Sequence, residues 1–247
     1  MAQWLTANID KKLDWHANLF SLGFHCKDFP KFKAGQFTKL GLYQHDGKLL
    51  SRPYSLINSP QQDTLEILAL PVENGELSPQ LHRLKVEDTI QVMCPATGYL
   101  TIDEVPSSQT LYMLSTGTGV GPFLSILQSD DVWHKHENIV LVYAVRYSSD
   151  FAYLSTIHDL LGENSKQFNF VPILSRENTS KGLHGRIPTL LNDIQLYSGV
   201  KLSPQSSQIM LCGNPDMIRD TYSVLQEMGF KKHLRRSRGQ ITMERYW

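Results

Sequence analysis

The stretch Arg52-Pro53-Tyr54-Ser55 sets a guanidinium, an aromatic ring and a hydroxyl on neighbouring residues. In an extended chain successive side chains point to opposite faces, so Arg52 and Tyr54 share one face and Ser55 turns to the other. A cation for a phosphate, a flat surface for a ring and a small hydrogen-bonding group for a ring heteroatom together fit a flavin nucleotide. The same four residues also fit a strand start with a buried tyrosine. The choice between these readings rests on whether the chain carries a second nucleotide site.

Ser115-Thr116-Gly117-Thr118-Gly119-Val120-Gly121-Pro122 offers one. It falls between an apolar strand and a helix, where a turn rich in Gly117 and Gly119 lets backbone N–H groups approach a pyrophosphate at the positive helix end. Pro122 suits the first helical turn, and its presence breaks the full G-x-G-x-x-G pattern. The following strands carry the next signal. The second ends Tyr143-Ala144-Val145-Arg146 without the acid that would hold a ribose diol, and after the third come Ser175, Arg176 and Arg186. One hydroxyl and two guanidiniums favour a 2′-phosphate, hence NADP, against the alternative that Arg176 and Arg186 pair with Glu177 or Asp193.

Cys212-Gly213-Asn214-Pro215 closes the last predicted strand and opens the last long helix. Its small residues leave room for a flat ring such as nicotinamide beside Cys212, which otherwise reads as a buried structural thiol. His134-Lys135-His136 has no further metal ligands near it in sequence and reads as an exposed helix end or loop.

The elements that must position these groups come in two kinds. β-prone runs at 4–9, 19–25, 36–42, 52–58, 65–70 and 89–93 are separated by turn residues and predict a small closed antiparallel barrel. A short helix at 78–84 interrupts them, with Ser78 as N-cap and Pro79 at its first position. From residue 110 the pattern alternates. Strands at 111–115, 139–144, 168–174 and 208–212 are interleaved with helices at 122–128, 152–161, 187–191 and 216–228. That is the signature of an α/β doubly wound parallel sheet. The expected organisation is therefore a barrel domain over 1–104, a linker at 105–109 and an α/β domain over 110–247.

The chain has 247 residues, 41% hydrophobic and 19% charged, with zero formal net charge, so no overall field argues for nucleic acid. The basic excess is local, in Lys231, Lys232, Arg235, Arg236 and Arg238, and reads as a tail beside the last helix. Cys26, Cys94 and Cys212 are far apart and odd in number, which argues against a disulfide framework and against an internal iron–sulfur cluster. No secretory or membrane-spanning segment is visible, and a cytoplasmic, monomeric protein without metal is expected.

Taken in order, Arg52-Pro53-Tyr54-Ser55, Gly75-Glu76-Leu77-Ser78, Gly117-Thr118-Gly119 with Pro122, and Cys212-Gly213-Asn214-Pro215 resemble the motifs of the ferredoxin-NADP reductase family. The resemblance spans nearly the whole chain and is nearest to the bacterial members, which share the strand from Phe37 and the ending Tyr246-Trp247. It implies an FAD-binding barrel and an NADP-binding domain. Arg52 and Pro53 would lie along the FAD pyrophosphate, Tyr54 would pack on the flavin and Ser55 would bond near its N5. Leu68, Ala69, Leu70, Glu76, Leu77 and Ser78 would line the flavin and its phosphates, Thr118 would reach it from the second domain, and Tyr246 and Trp247 would cover the adenine. Gly117, Gly119, Arg146, Ser175, Arg176, Arg186, Asn214 and Asp216 would hold NADP, with Cys212 beside the nicotinamide.

The activity so implied is electron transfer between NADPH and an acidic one-electron carrier, ferredoxin or flavodoxin, docking near the run from Lys231 to Arg238. Alternatives are a flavin or ferric-chelate reductase on the same scaffold, or a cofactor-binding subunit without turnover of its own.

Overall fold

The computed structural model describes residues 2–245 and gathers their strands into two sheets of six. The first sheet comprises β1 (Gln3–His16), β2 (Leu19–His25), β3 (Phe37–Tyr43), β4 (Leu49–Ser55), β5 (Thr64–Ala69) and β6 (Thr89–Cys94), antiparallel in the order β4-β3-β6-β1-β2-β5. β1 runs well past the expected residue 9 because its two halves pair differently. Its start pairs with β6 and its charged remainder with β2, with register breaks that let it bend. The outer strands meet through Ile57 N–H to the Glu66 carbonyl (2.9 Å) and Glu66 N–H to the Asn58 side chain (2.9 Å), which rolls the sheet into a barrel. Phe20, Phe24, Leu22, Leu40, Leu56 and Ile67 fill it.

The short helix α1 (Ser78–Arg83) corrects one expectation. Leu77, not Ser78, is the cap residue, and the Ser78 hydroxyl instead accepts the Val72 N–H at 2.9 Å. Ser78 therefore fixes the preceding loop rather than the helix end, and Pro79 takes the second helical position.

The second sheet comprises β7 (Thr110–Thr116), β8 (Asn138–Val145), β9 (Phe168–Leu174), β10 (Leu183–His184), β11 (Ser207–Gly213) and β12 (Ile241–Arg245), all parallel in the order β10-β9-β8-β7-β11-β12. Alternate residues separate its faces. Leu111, Met113, Leu141 and Cys212 pack with α2 (Gly121–Leu127), α3 (Asp130–Lys135) and α4 (Leu154–Glu163), while Tyr112, Leu114, Val142 and Leu211 pack with α5 (Leu191–Ser198) and α6 (Pro215–Glu227). The strand order reverses between β7 and β11. The crevice outside the C-terminal ends of those two strands is where such sheets bind ligands.

Three further expectations change. Residues 187–191 do not form a helix: Ile187–Thr189 is a 3-10 turn, and α5 begins at Leu191. His136 is not exposed. It is 3% accessible, its Nδ1 donates to the Ser108 carbonyl at 3.0 Å, and burial pulls its pKa down to about 4. The basic run is not a tail but a hairpin leading into β12, closed by paired backbone bonds between Leu234 and Ser237 (2.9 Å each). A ladder of five residue pairs with β11, invisible without its partner strand, holds β12 in place.

The two halves share one apolar cluster, in which Leu19, Ile57 and Leu68 of the barrel meet Met113, Phe123 and Cys212. Buried polar contacts fix the angle between them. Ser125 donates to the Asn58 carbonyl (2.7 Å) and Gln128 to the Ile57 carbonyl (2.9 Å), so α2 is pinned to the segment directly after β4. Across the same junction the Tyr153 hydroxyl donates to Glu66 (2.7 Å), and Trp15 donates to Ser21 (3.0 Å) beneath it.

Candidate active site

The turn after β7 and the turn after β11 are built against each other. A Cβ on Gly119 would stand 2.6 Å from the Cys212 carbonyl oxygen and 2.6 Å from Gly213 Cα, so only glycine lets the strands close here. Gly213 has φ +129° and faces Thr116, whose hydroxyl accepts the Asn214 N–H at 2.9 Å. Gly117 differs: it is left-handed at φ +53°, and nothing lies within 4 Å of where its Cβ would be. Open space beside Gly117 is a cradle of the kind a pyrophosphate fills, whereas Gly119 serves close packing.

The barrel contributes the other wall. Ser55 is buried and pairs with Phe37 across β3 and β4. The Phe37 ring lies 3.1 Å from the position of a Gly98 Cβ, and the Glu244 carboxylate 3.5 Å from the same point. Glu244 in turn is the register partner of Cys212. A chain of neighbours along this seam thus runs from Ser55 through Phe37 and Gly98 to Glu244 and Cys212, with Cys212 fully buried and not in a disulfide.

Glu244 was not anticipated from the sequence, where it is the lone acid of a basic stretch. Burial alone pushes its carboxyl up to about 7. Glu244 is half-buried and has no ion-pair partner among the described residues, and a carboxyl desolvated in this way is a candidate for acid–base work. Only the pairing of β12 with β11 brings it beside Cys212.

Above the seam, Tyr54 is half-buried and burial pushes its hydroxyl up to about 12, against the opposing pull of Arg52. Its ring is thus a neutral flat surface. Arg52 is exposed and held by Glu76 (2.9 Å) and the Ser51 carbonyl (2.8 Å), which aims its guanidinium at the loop carrying Glu76, Leu77 and Ser78. Leu68 and Ala69 are buried beneath, Leu70 is half-buried and Pro53 is exposed. Thr118 is buried in the glycine turn. These donors and surfaces fit FAD. Arg52→Ala is expected to raise the FAD dissociation constant about 10- to 100-fold, the loss of one charged hydrogen bond. Tyr54→Ala acts in the same direction, and flavin fluorescence on dilution measures both. Full retention in both variants removes the quartet from the site.

The outer edge of the second sheet collects the cations. Arg176 N–H bonds the Arg146 carbonyl (3.0 Å) and Gly185 N–H bonds the Leu174 carbonyl (3.0 Å), bringing Arg146, Ser175, Arg176 and Arg186 to the same sheet end. Among the described residues none of these arginines forms an ion pair. Glu177, a candidate partner, is held instead by Ser148 through its N–H (2.7 Å) and hydroxyl (3.0 Å). Three exposed guanidiniums without counter-ions fit a phosphate monoester. Arg176→Ala is expected to raise KM for NADPH about tenfold while leaving KM for NADH within about twofold. Equal changes for both nucleotides would refute the assignment.

The Asn214 side chain caps α6, accepting from Asp216 N–H (2.9 Å) and Met217 N–H (3.2 Å), so its oxygen serves the helix. Asp216 pairs with Arg219 at 2.6 Å. Tyr246 and Trp247 lie outside the described residues, and among the described residues no group of His, Cys, Asp and Glu is gathered as a metal site.

Comparison with known proteins agrees with this geometry. Residues 8–100 match the oxidoreductase FAD-binding domain and residues 113–223 the oxidoreductase NAD-binding domain. The flavodoxin/ferredoxin–NADP reductases of Escherichia coli (strain K12) and of Buchnera aphidicola (subsp. Baizongia pistaciae) are 44% and 41% identical, each over 100% of both chains. The crystal structure of a ferredoxin NADP+ reductase from Neisseria gonorrhoeae with bound FAD and NADP superposes with a TM-score of 0.92 at 33% identity, covering 99% of each chain. A barrel carrying an arginine, a tyrosine and a serine at the seam with a parallel sheet, over the full length of such relatives, leaves one conclusion: the chain belongs to the flavodoxin/ferredoxin–NADP reductase family.

Proposed function

We propose that this protein is an FAD-dependent oxidoreductase that moves electrons between NADP(H) and a one-electron carrier protein, ferredoxin or flavodoxin, with its FAD domain over 1–104 and its NADP domain over 110–247. The reading is supported by the junction of the two halves, where Ser55 pairs with Phe37, the Phe37 ring and the Glu244 carboxylate both approach Gly98, Glu244 pairs with Cys212, and Gly119 packs on Cys212 and Gly213.

Bound FAD supplies the exchange between two-electron and one-electron chemistry. The chain supplies position and electrostatics. Arg52 binds phosphate, Tyr54 offers a neutral ring face, and the glycine turn with Thr118 closes the site from the second domain. Arg146, Ser175, Arg176 and Arg186 anchor the 2′-phosphate end of the nucleotide, so the nicotinamide end reaches the switch point between β7 and β11. The Glu244 carboxyl holds a proton on one oxygen below about pH 7 and lies where it can pass it to or from the seam.

The carrier reading concerns the hairpin before β12. Arg235 is committed within the protein, to Glu104 (2.8 Å) and over the Tyr99 ring (4.1 Å), which leaves Lys231, Lys232, Arg236 and Arg238 for an acidic partner. The hairpin precedes β12, whose start at Ile241 is roughly 10 Å along the strand from Glu244. It therefore steers the approach through its field rather than contacting the reacting groups. No helix among the described residues is long and apolar enough to cross a membrane.

The deciding experiment is anaerobic stopped-flow with the FAD-loaded enzyme. NADPH is expected to bleach the flavin band, and flavodoxin or ferredoxin to restore it faster than free flavin or ferric chelate does. Faster restoration by the small molecules would overturn the carrier assignment. Neutralising Lys231, Lys232 and Arg236 together is expected to slow the carrier step about tenfold at low salt and to flatten its salt dependence.

A further inference from the structure

We infer that the cleft between the basic hairpin and the interdomain linker is a binding site for a small phosphate-bearing anion, separate from both nucleotide sites. The cleft encloses about 480 Å³, within the roughly 300–1,000 Å³ of small-ligand sites. Its walls come from three places: the linker at 105–107 with Asp103 and Glu104 just before it, the end of α3 at Lys135, and the hairpin at His233, Arg235 and Arg238. Both the hairpin and Lys135 precede strands of the parallel sheet. The cleft thus lies at the N-terminal sheet edge, away from the switch point and from Arg176.

The charges around it do not cancel. Glu104 is taken by Arg235 (2.8 Å), and Asp103 by Lys33 (2.5 Å), outside the cleft lining. Lys135 and Arg238 are left without a carboxylate partner among the described residues. Lys135 is half-buried, its ammonium fixed by a hydrogen bond to the Ile102 carbonyl (2.6 Å). Burial pulls its pKa down, with Asp103 and Asp131 opposing from a distance. His233 Nδ1 accepts the Gly239 N–H (3.3 Å), so Nε2 is its remaining donor.

A partly desolvated cation facing a second one is unfavourable until an anion sits between them. Donors arriving from separate walls match the three terminal oxygens of a phosphate better than the two of a carboxylate. Such an anion would tie the linker, α3 and the hairpin together. The site does not depend on the electron-transfer reading.

Calorimetric titration of the FAD-loaded enzyme, saturated with NADP+ and held at constant ionic strength, with inorganic pyrophosphate tests this. One saturable event is expected that NADP+ does not displace. Lys135→Met and Arg238→Met should each weaken it about tenfold or more, and Lys135→Arg should recover most of the affinity. Arg238 is exposed, so its replacement decides the matter even where Lys135→Met disturbs folding. The inference is overturned by absence of binding at millimolar pyrophosphate, by competition with NADP+, or by an Arg238→Met variant that binds as the parent does.

Discussion

Gly119→Ala is expected to reduce the rate of flavin reduction by NADPH about 100-fold, with FAD still bound. The added methyl would stand 2.6 Å from the Cys212 carbonyl oxygen and 2.6 Å from Gly213 Cα, both backbone atoms of a central strand. No side-chain rotation relieves that contact, so the turns after β7 and β11 must separate. Overpacking of this kind costs about 1–3 kcal/mol of stability. The larger effect is on chemistry, because a displacement of about 1 Å between reacting groups lowers rates by about two orders of magnitude. Arg52 and Tyr54 lie on the barrel, away from this contact, which is why FAD should remain. Gly117→Ala separates packing from ligand contact: no protein atom lies within 4 Å of its Cβ, so its cost to the fold is confined to the left-handed φ of +53° while its methyl enters the nucleotide cradle. It should destabilise by about 1 kcal/mol and raise KM for NADPH, with a much smaller loss of the saturated rate. Stopped-flow reduction and thermal melts of the two variants separate these effects. A Gly119→Ala enzyme reduced within about threefold of the parent rate would show that the seam tolerates opening.

The contrast between the two glycines shows what was legible in the sequence. That Gly117 and Gly119 bracket a strand-to-helix turn follows from spacing alone. Which one leaves room for a ligand and which lets strands touch depends on Cys212 and Gly213, nearly a hundred residues away. The barrel and the doubly wound sheet were readable because alternation and β/α periodicity are local properties. The same holds for Arg52 and Tyr54, whose shared face follows from strand geometry.

What escaped were features created by pairing. β12 is a short strand with a polar flank, and its identity comes from its ladder with β11. With β12 missing, Glu244 looked like one acid in a basic stretch, and the preceding residues looked like a tail. Residue type reads Ser78 as a helix cap and Asn214 as a nucleotide ligand, and only the fold shows the bonds they make: the Ser78 hydroxyl accepts the Val72 N–H, and the Asn214 side chain caps α6. The burial of His136 is hidden for the same reason, since only the fold brings it under Ser108. The arginines went the other way. Pairing with Glu177 was open in sequence, and Ser148 closes it by occupying that carboxylate.

Glu244→Gln is expected to remove both a kinetic and a stability signature that belong to one carboxyl. Burial raises its pKa from 4.5 to about 7 in the folded protein. Between those values the native state binds a proton that the unfolded chain does not. Stability therefore falls as pH rises from about 4.5 to about 7 and levels off above, the loss amounting to at most about 3 kcal/mol. Gln mimics the protonated form and carries no charge to desolvate, so the variant should lack this decline and be the more stable protein at pH 8. In turnover the parent should show an inflection near pH 7 in the step that protonates or deprotonates the seam, and Glu244→Gln should be slow and flat through that range. A loss of about 10²-fold is the usual worth of one positioned acid or base. Because the neutral amide preserves size and removes only titration, a structural role alone would leave the profile shape intact. Chemical denaturation at pH 5, 6, 7 and 8, together with pre-steady-state rates over the same range, reads both signatures. Parallel stability curves and an unchanged inflection in the two proteins would assign the proton to another group.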